Sequence, residues 1–318
     1  MALIFQLLLL TLGLGALIKG ADYFVEGASS LAHRLSISPM IIGLTVVAFG
    51  TSTPELVVNI FAVLRGEVNL TYGNIIGSNI HNILLILGIS GIIHPLSTQR
   101  NTVWREIPFA LIAVIAVIVL SNDTILSNSP DQLSRGDGII LLLFFAIFLT
   151  YVFGMTQTQL QDEYKITEMT LVRILAYIGI GLIGLILGSR LVVVNGVEIA
   201  QTLGISERVI GLTVIAVGTS LPELTTSAMA AYRGESDIAI GNIVGSNIFN
   251  IFLVLGISSL IAPLPFSTIL NLDFGMMLLA TTLLFTIMFM GKTRVIGRAK
   301  GGLFLVLWIT YMGYLILQ

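Results

Sequence analysis

Residues 50–55 read GTSTPE, and they lie inside the apolar run MIIGLTVVAFGTSTPELVVNIFAVL at residues 40–64. Glycine and proline interrupt helices, and an ionised glutamate at membrane depth costs several kcal/mol. A second copy, GTSLPE, occupies residues 218–223 inside another apolar run. A packing kink would explain one interruption, but it does not explain two matched interruptions that each hold an acid. The pattern therefore predicts a functional site.

The composition is that of a polytopic membrane protein. Of the 318 residues, 56% are hydrophobic and 10% are charged, whereas soluble domains carry about 25% charged residues. The net charge of −2 indicates no affinity for nucleic acid, and the lack of cysteine excludes disulfides, thiolate metal sites and thiol nucleophiles. The apolar start has no basic residue before Lys19 and no clear cleavage site, so we predict a first spanning helix there and not a signal peptide.

Ten apolar runs are long enough to cross a bilayer core of about 30 Å. They lie near residues 3–25, 39–64, 70–94, 104–121, 138–155, 169–190, 208–232, 238–262, 271–290 and 301–317. An even number of spans places both termini on one side, and lysine and arginine are concentrated in the odd-numbered loops. The positive-inside rule then predicts a multi-pass protein of the cell (plasma or inner) membrane with both termini extracellular. We expect lipid around it and no obligatory protein partner.

The two halves of the chain repeat each other. IGLTVVAFGTSTPE at residues 42–55 matches IGLTVIAVGTSLPE at residues 210–223, and GNIIGSN at residues 73–79 matches GNIVGSN at residues 241–247. The offset is constant, and the chain crosses the membrane an odd number of times between the copies. The copies therefore point in opposite directions, as in many secondary transporters.

The predicted fold is an all-α membrane protein of ten transmembrane helices, arranged as two inverted five-helix repeats. Helices 2, 3, 7 and 8 are expected to be broken. The first repeat comprises residues 1–156 (spans 1–5), a short linker follows at 157–168, and the second repeat comprises 169–318 (spans 6–10).

Glu55 and Glu223 are the central candidates for cation binding. The cost of burying two carboxylates would be offset if both converged on one bound cation. The alternative is that each is protonated or paired with a base, but Lys19 is the only basic residue in the middle of a predicted span.

Main-chain and hydroxyl oxygens surround these acids in the sequence. Proline removes a helical N–H and frees a carbonyl one turn earlier. We therefore expect carbonyls near the breaks to turn toward a cation, and the candidates are Ala48, Thr51, Ala216 and Thr219. Thr51 and Ser52 share a helix face with Glu55, being four and three residues away.

The second motif places polar residues four apart on otherwise apolar helices. These stripes are Asn74, Ser78 and Asn82 in the first repeat and Asn242, Ser246 and Asn250 in the second. Ion ligation and helix-to-helix hydrogen bonding are both open explanations. Asn59 and Ser227, one turn beyond the glutamates, either support the ligands from behind or simply pack. An all-oxygen set suits calcium or sodium and not zinc or copper.

At these residues the sequence resembles the cation/calcium exchanger superfamily, in particular its prokaryotic sodium/calcium exchanger-like branch. The resemblance rests on the two GTS-x-PE and GN-x-x-GSN blocks and on the number and order of spans. It implies that calcium binds the carboxylates of Glu55 and Glu223 with the backbone oxygens of Thr51 and Thr219. It implies sodium sites built from Ser52, Ser78, Asn82, Ser220 and Ser246 with the carbonyls of Ala48 and Ala216, and a gate formed by the first and sixth spans.

The predicted function is that of a secondary antiporter, not an enzyme, which exchanges sodium for calcium by alternating access in an electrogenic cycle. Calcium and sodium are cargo, and no cofactor is expected. The alternatives are a proton/calcium exchanger of the same superfamily and a cation channel. An intramembrane enzyme would need a nucleophile and a base, for which only Ser52 or Thr51 beside Glu55 is a candidate.

Overall fold

The computed structural model describes residues 2–124, 130–154, 169–204, 216–291 and 294–317, and this part of the chain is almost entirely helical. The predicted linker at 157–168 and residues 208–215 of the predicted seventh span lie outside the described residues. The helices of the first half are α1 (Ala2–Arg34), α2 (Pro39–Ile42), α3 (Ala48–Thr51), α4 (Thr53–Leu64), α5 (Val68–Ile80), α6 (Leu87–Ile93), α7 (Ile107–Ser121) and α8 (Arg135–Gly154). Those of the second half are α9 (Leu171–Thr202), α10 (Ala216–Gly218), α11 (Leu221–Tyr232), α12 (Ser236–Ile248), α13 (Gly256–Ile261), α14 (Asn271–Ile287) and α15 (Arg298–Leu317).

Short irregular segments complete the helical path. The π-helical segments are Gly43–Val47, His81–Ile86, Thr102–Glu106 and Phe249–Leu255, and a 3-10 turn spans Thr268–Leu270. Two antiparallel pairs of two-residue strands join loops: β1 (Leu96–Ser97) pairs with β4 (Val295–Ile296), and β2 (Gln132–Leu133) pairs with β3 (Leu264–Pro265).

Among the described residues, eight helices are long and apolar enough to cross a membrane. A ninth span is the bent pair Pro39–Thr51 and Thr53–Leu64, whose halves meet at 44°. The remaining predicted span, 208–232, is described only from residue 216 onward. The chain is thus a multi-pass membrane protein with the predicted order of helices over the part described.

The third and eighth spans differ from the prediction that they are broken. Residues 68–93 and 236–261 each form one continuous helical span, and each contains a π-helical segment. Neither span contains proline, so nothing forces the chain to bend. The correction is that these helices change hydrogen-bond register and do not break. Single π turns inside α-helices are frequent at functional sites.

The same two spans form the centre of the molecule. In the most apolar 18-residue stretch of each of these two spans, 83% and 94% of the residues are buried, whereas the value is 17% in both α1 and α15. Small residues allow this close packing. Gly241 and Gly245 of α12 lie against residues 40–48, where an added Cβ at Gly245 would come within 2.7 Å of the Ala48 Cβ.

Helices α1 and α9 pack against each other in antiparallel directions along glycine faces. Gly13 and Gly20 are seven residues apart on α1, and this spacing keeps them on one face. A Cβ at Gly20 would lie 2.8 Å from the Gly181 carbonyl oxygen, and one at Gly188 would lie 2.8 Å from that of Gly13. Because these neighbours are backbone atoms, only glycine permits this approach.

An ionic cluster ties α1 to the turn that follows α11. The Arg233 guanidinium contacts the Asp22 carboxylate at 2.5 Å and the Glu26 carboxylate at 3.0 Å. The Ser29 hydroxyl donates to the Glu235 carboxylate at 2.8 Å. These contacts position the C-terminal half of α1 relative to the helix that begins beside Glu223.

Candidate cation site

The two glutamates lie just after the helix breaks. The first half of the bent second span ends at Thr51, and its second half, α4, begins at Thr53 with Pro54 in its first turn. Proline fits this position because the first N–H groups of a helix have no partner within the helix. Glu55, and likewise Glu223 in α11, therefore occupies a first helical turn, where the helix dipole favours a negative charge.

The structure shows what happens to two carbonyls near the breaks. The Ala48 carbonyl accepts the Ser52 N–H at 3.0 Å and the Thr51 hydroxyl at 3.4 Å, so it is not released by the break. Because the missing N–H of Pro222 would have bonded the residue four earlier, it is Gly218 that loses its partner. The Gly218 carbonyl accepts the Ser189 hydroxyl of α9 at 2.9 Å. Ala216 opens the short helix α10.

The glycines of the breaks provide room for the long helices α1 and α9. An added Cβ at Gly50 would lie 3.0 Å from the Phe24 ring, and one at Gly218 would lie 2.3 Å from a methyl carbon of Val193. Each break therefore faces one of the two long helices directly.

Hydrogen bonds between the two halves bring the predicted site residues together. The Ser52 hydroxyl donates to the Glu223 carboxylate at 3.1 Å, and the Ser220 hydroxyl donates to that of Ser78 at 3.3 Å. The Thr51 hydroxyl donates to the Asn242 amide oxygen at 3.0 Å. Its counterpart is the bond from Thr219 to the Asn74 amide oxygen at 3.4 Å. Residues that lie far apart in the sequence thus form one site.

Asn59 and Ser227 lie behind the motif asparagines in equivalent positions. The Asn74 amide donates to the Asn59 amide oxygen at 2.6 Å, and the Asn242 amide donates to the Ser227 hydroxyl at 2.9 Å. Asn59 and Ser227 in turn donate to the carbonyls of Thr71 and Ala239. Because each amide nitrogen is held from behind, the amide oxygens of Asn74 and Asn242 remain directed at the threonine hydroxyls.

Several buried oxygen atoms of the predicted set have no hydrogen-bond partner among the described residues. They belong to Glu55 (Oε2), Glu223 (Oε2), Asn82 (Oδ1), Asn250 (Oδ1) and Ser246 (Oγ). The side chains themselves are at most 2% exposed. The Glu55 carboxylate lies beside the Ser78 hydroxyl and within electrostatic range of Glu223.

No basic side chain neutralises these acids in the described part of the chain. There the ion pairs are those of Arg233 with Asp22 and Glu26. The same residues contain no group of three or more histidine, cysteine or acidic side chains suited to a metal. The site therefore combines a pair of carboxylates with neutral amide, hydroxyl and carbonyl oxygens.

Sequence reasoning did not single out three residues that the structure connects to the site. Ser189 of α9 bonds the Gly218 carbonyl, and Asn79 and Asn247 bond the amides of Asn250 and Asn82. Asn79 and Asn247 do occur at matched positions of the two GSN motifs, 168 residues apart. The spacing did not indicate them, because they lie outside the stripes of polar residues spaced four apart.

Comparison with known proteins identifies the class of protein. The family model described as sodium/calcium exchanger protein matches residues 5–154 and 173–317, which is nearly the whole chain. The chain therefore belongs to the sodium/calcium exchanger family, whose members are membrane transporters and not enzymes.

Individual relatives are similar over almost their full length. The inner membrane protein YrbG of Escherichia coli K12 is 37% identical over 322 residues, which cover 96% of each chain. The sodium/calcium exchanger MaX1 of Methanosarcina acetivorans is 32% identical over 349 residues, covering 96% of this chain and 97% of the relative. A solved structure of the sodium-calcium exchanger NCX_Mj, soaked with 10 mM Na+ and zero Ca2+, superposes with a TM-score of 0.83 at 35% identity and covers 98% of this chain and 99% of its own.

Proposed function

We propose that this protein is an antiporter that exchanges sodium ions for calcium ions across the cell membrane. The observation that carries the proposal is the set of buried oxygens from Glu55, Glu223, Asn82 and Asn250 that lack a partner among the described residues. A buried polar atom without a partner costs free energy unless something else satisfies it. Carboxylate and amide oxygens are ligands of hard cations. Membership of the sodium/calcium exchanger family supports the same ions.

The assignment of ligands to the two ions follows the resemblance to the exchanger family. Calcium, which carries the higher charge, would bind the carboxylates of Glu55 and Glu223 together with the carbonyl oxygens of Thr51 and Thr219. Sodium would bind the surrounding neutral oxygens, which are the side chains of Ser52, Ser78, Asn82, Ser220, Ser246 and Asn250 and the carbonyls of Ala48 and Ala216. A further layer of side chains would hold these ligands in place by hydrogen bonds, and it consists of Asn74, Asn242, Asn59 and Ser227.

The charge of the site provides the reason for exchange. Without a cation, the carboxylates of Glu55 and Glu223 repel each other in a region that excludes water, and moving them between the two sides of the membrane in that state is costly. One calcium ion, or several sodium ions, cancels the charge. Only loaded states then interconvert readily, so inward movement of one ion is coupled to outward movement of the other.

The conformational change would be a movement of α1 and α9 past the rest of the molecule. Both helices contact the breaks directly, through Phe24 at Gly50 and through Val193 and Ser189 at Gly218. Their mutual contact through glycine faces would let them move as a pair. Such movement would open the site alternately to each side, which is alternating access.

The architecture proposed for this mechanism is two inverted repeats of five spans each, residues 1–156 and 169–318. It is supported by hydrogen bonds that recur with the repeat offset. Thr51 bonds Asn242 just as Thr219 bonds Asn74, and Asn82 bonds Asn247 just as Asn250 bonds Asn79. A pseudo-twofold relation between the halves produces such reciprocal pairs.

The proposal is tested by calcium-45 flux into proteoliposomes that contain the purified protein. Sodium, potassium and proton gradients are imposed one at a time. We expect calcium uptake when sodium is high inside and low outside, and no uptake above that of protein-free liposomes with potassium or proton gradients alone.

Two outcomes would contradict sodium/calcium exchange. Uptake driven by a pH gradient without sodium would identify a proton/calcium exchanger. Calcium flux that needs no counter-cation, together with single-channel currents in a planar bilayer, would identify a channel.

A further inference from the structure

Four buried asparagines meet where α5 and α12 run into their π-helical segments. Asn82 donates to the Asn247 amide oxygen at 2.9 Å, and Asn250 donates to the Asn79 amide oxygen at 3.0 Å. Asn79 and Asn247 also bond each other's main chain. The Asn79 amide donates to the Asn247 carbonyl at 3.4 Å, and the Asn247 amide donates to the Asn79 carbonyl at 3.3 Å.

The main-chain contacts determine which way each amide points. A backbone carbonyl can only accept a hydrogen bond, so the side-chain nitrogens of Asn79 and Asn247 must face it. Their amide oxygens then face Asn250 and Asn82, which must present nitrogen in return. As a consequence, the amide oxygens of Asn82 and Asn250 are directed away from the cluster, and both are buried without a partner among the described residues.

The direction of these amides matters for a cation because the two ends have opposite polarity. The oxygen end is a ligand for a hard cation, whereas the NH2 end is a donor that repels a cation and bonds a carboxylate. The segment containing Asn250 packs against the helix that begins beside Glu55, and the segment containing Asn82 packs against the helix that begins beside Glu223. A reversed amide would thus place a hydrogen-bond donor near the acids.

We propose that Asn79 and Asn247 are positioning residues that hold the amide oxygens of Asn82 and Asn250 toward the cation site. They contact no ion themselves. By preventing the reversed orientation of the Asn82 and Asn250 amides, they raise the affinity of the neutral oxygen ligands for a cation. This role rests on the cation site proposed above and adds to it the residues that orient its amide ligands.

The test replaces Asn79 with leucine, which has a similar shape and no hydrogen-bond acceptor. Equilibrium binding of Na+ and of Ca2+ to the purified full-length protein is measured by isothermal titration calorimetry. Without the Asn79 oxygen, the Asn250 amide is no longer held, and we expect the dissociation constant for Na+ to rise about fivefold to tenfold, the equivalent of one hydrogen bond. Asn122→Leu is the matched control, because Asn122 is also buried but bonds Ile118 and Asn271 at the end of α7. We expect it to leave Na+ binding unchanged.

A second background separates orientation from simple packing. In Asn250→Asp, both side-chain ends are oxygen, so no orientation of the group directs an NH2 donor at the site, and the Asn79 oxygen no longer has an NH2 group to hold. Asn79→Leu should then not weaken Na+ binding relative to Asn250→Asp alone. An equal loss of affinity in both backgrounds would overturn the positioning role. If Asn79→Leu does not fold, Asn247→Leu with and without Asn82→Asp tests the same prediction at the equivalent position.

The binding and flux experiments test the two proposals separately. Wild-type protein that binds Na+ and Ca2+ but shows no sodium-coupled calcium flux would refute the exchange function, and the binding series would still decide the role of Asn79 and Asn247. Wild-type protein that binds neither ion would overturn both proposals.

Discussion

At the scale of single residues, the site depends on the position of a few oxygen atoms relative to the helix breaks. A glutamate three residues after Ser52, or after Ser220, falls in the first turn of a helix, where main-chain N–H groups and the dipole stabilise its charge. Hydroxyl groups from the opposite half complete its surroundings, as Ser52 does for Glu223. Helix dipoles and these hydroxyl groups stabilise the acids, which have no basic partner among the described residues, and the cation proposed to bind there would offset the rest of their charge.

Neutralising either acid should remove calcium binding. Because a calcium ion would lose one of its two charged ligands, we expect Glu55→Gln and Glu223→Gln each to weaken calcium binding at least ~100-fold. Calorimetric titration of the purified variants with Ca2+ provides the measurement. The exposed Glu67 on the turn before α5 is the matched control, and Glu67→Gln should bind calcium like the wild type. Calcium affinity that survives in Glu55→Gln would remove Glu55 from the site.

At the scale of secondary-structure elements, small residues determine which helices approach closely. The contact between α1 and α9 depends on glycines that meet backbone atoms, so there is no side chain that could move aside. The helix breaks contact the same pair through Gly50 and Gly218. The two long, largely lipid-facing helices are thus connected to the buried site. Of their described polar side chains, only that of Ser189 takes part in this connection.

Enlarging a glycine of this contact should separate the helices. A Cβ at Gly20 would approach backbone atoms of α9 to 2.8 Å, and overpacking of this kind costs about 1–3 kcal/mol. We expect Gly20→Ala to lower the thermal unfolding midpoint in detergent and to slow sodium-driven calcium flux. Gly15→Ala is the control on the same helix, since Gly15 is exposed and no described atom comes within 4 Å of an added Cβ. Similar behaviour of the two variants would show that the close contact is not needed.

At the scale of the whole molecule, the proposed inverted repeats place equivalent residues at opposite depths and on opposite faces of the same site. Reciprocal hydrogen bonds such as Asn82 to Asn247 and Asn250 to Asn79 lie about the centre of this arrangement. The peripheral contacts are less symmetric. Arg233 binds Asp22 and Glu26 of α1, whereas the equivalent of Asp22 in α9 is Arg190, which cannot pair with Arg65, the equivalent of Arg233.

The orientation in the membrane is testable because the chain has no cysteine, so any introduced cysteine is its only thiol. We expect a membrane-impermeant maleimide to label Asn69→Cys, in the second loop, in intact cells. Leu35→Cys, in the first loop and 54% exposed at the parent residue, should be labelled only after permeabilisation. Labelling of Leu35→Cys in intact cells, with protection of Asn69→Cys, would place both termini inside.

The transport cycle should respond to membrane voltage. If the sodium ions that leave carry more charge than the calcium ion that enters, net positive charge moves outward in each cycle. An inside-positive potassium diffusion potential set with valinomycin should then accelerate the calcium uptake that internal sodium drives, whereas it would slow simple calcium entry. The measurement compares initial calcium-45 uptake at inside-positive, zero and inside-negative potentials. Uptake that does not vary among the three would indicate electroneutral exchange.

Particular residues mark the boundary between what could be predicted and what could not. The acids Glu55 and Glu223, the break residues beside them and the polar stripes were all visible, because charge and helix-breaking residues are conspicuous in apolar runs. The third and eighth spans were predicted to be broken, whereas they are continuous helices with π-helical segments at 81–86 and 249–255, and the sequence does not show this change of hydrogen-bond register. The release of the Gly218 carbonyl could be worked out from the position of Pro222 alone, but its bond to Ser189 could not.

The sequence by itself determined that the chain lies in a membrane, where its helices run, that its halves repeat, and which family it belongs to. These properties follow from hydrophobicity, charge and the spacing of residues along one chain. Only the tertiary structure decided which oxygen atoms remain without partners and which asparagines orient others. These depend on contacts between side chains more than 140 residues apart, and the direction of an amide is set by the neighbours that folding places around it.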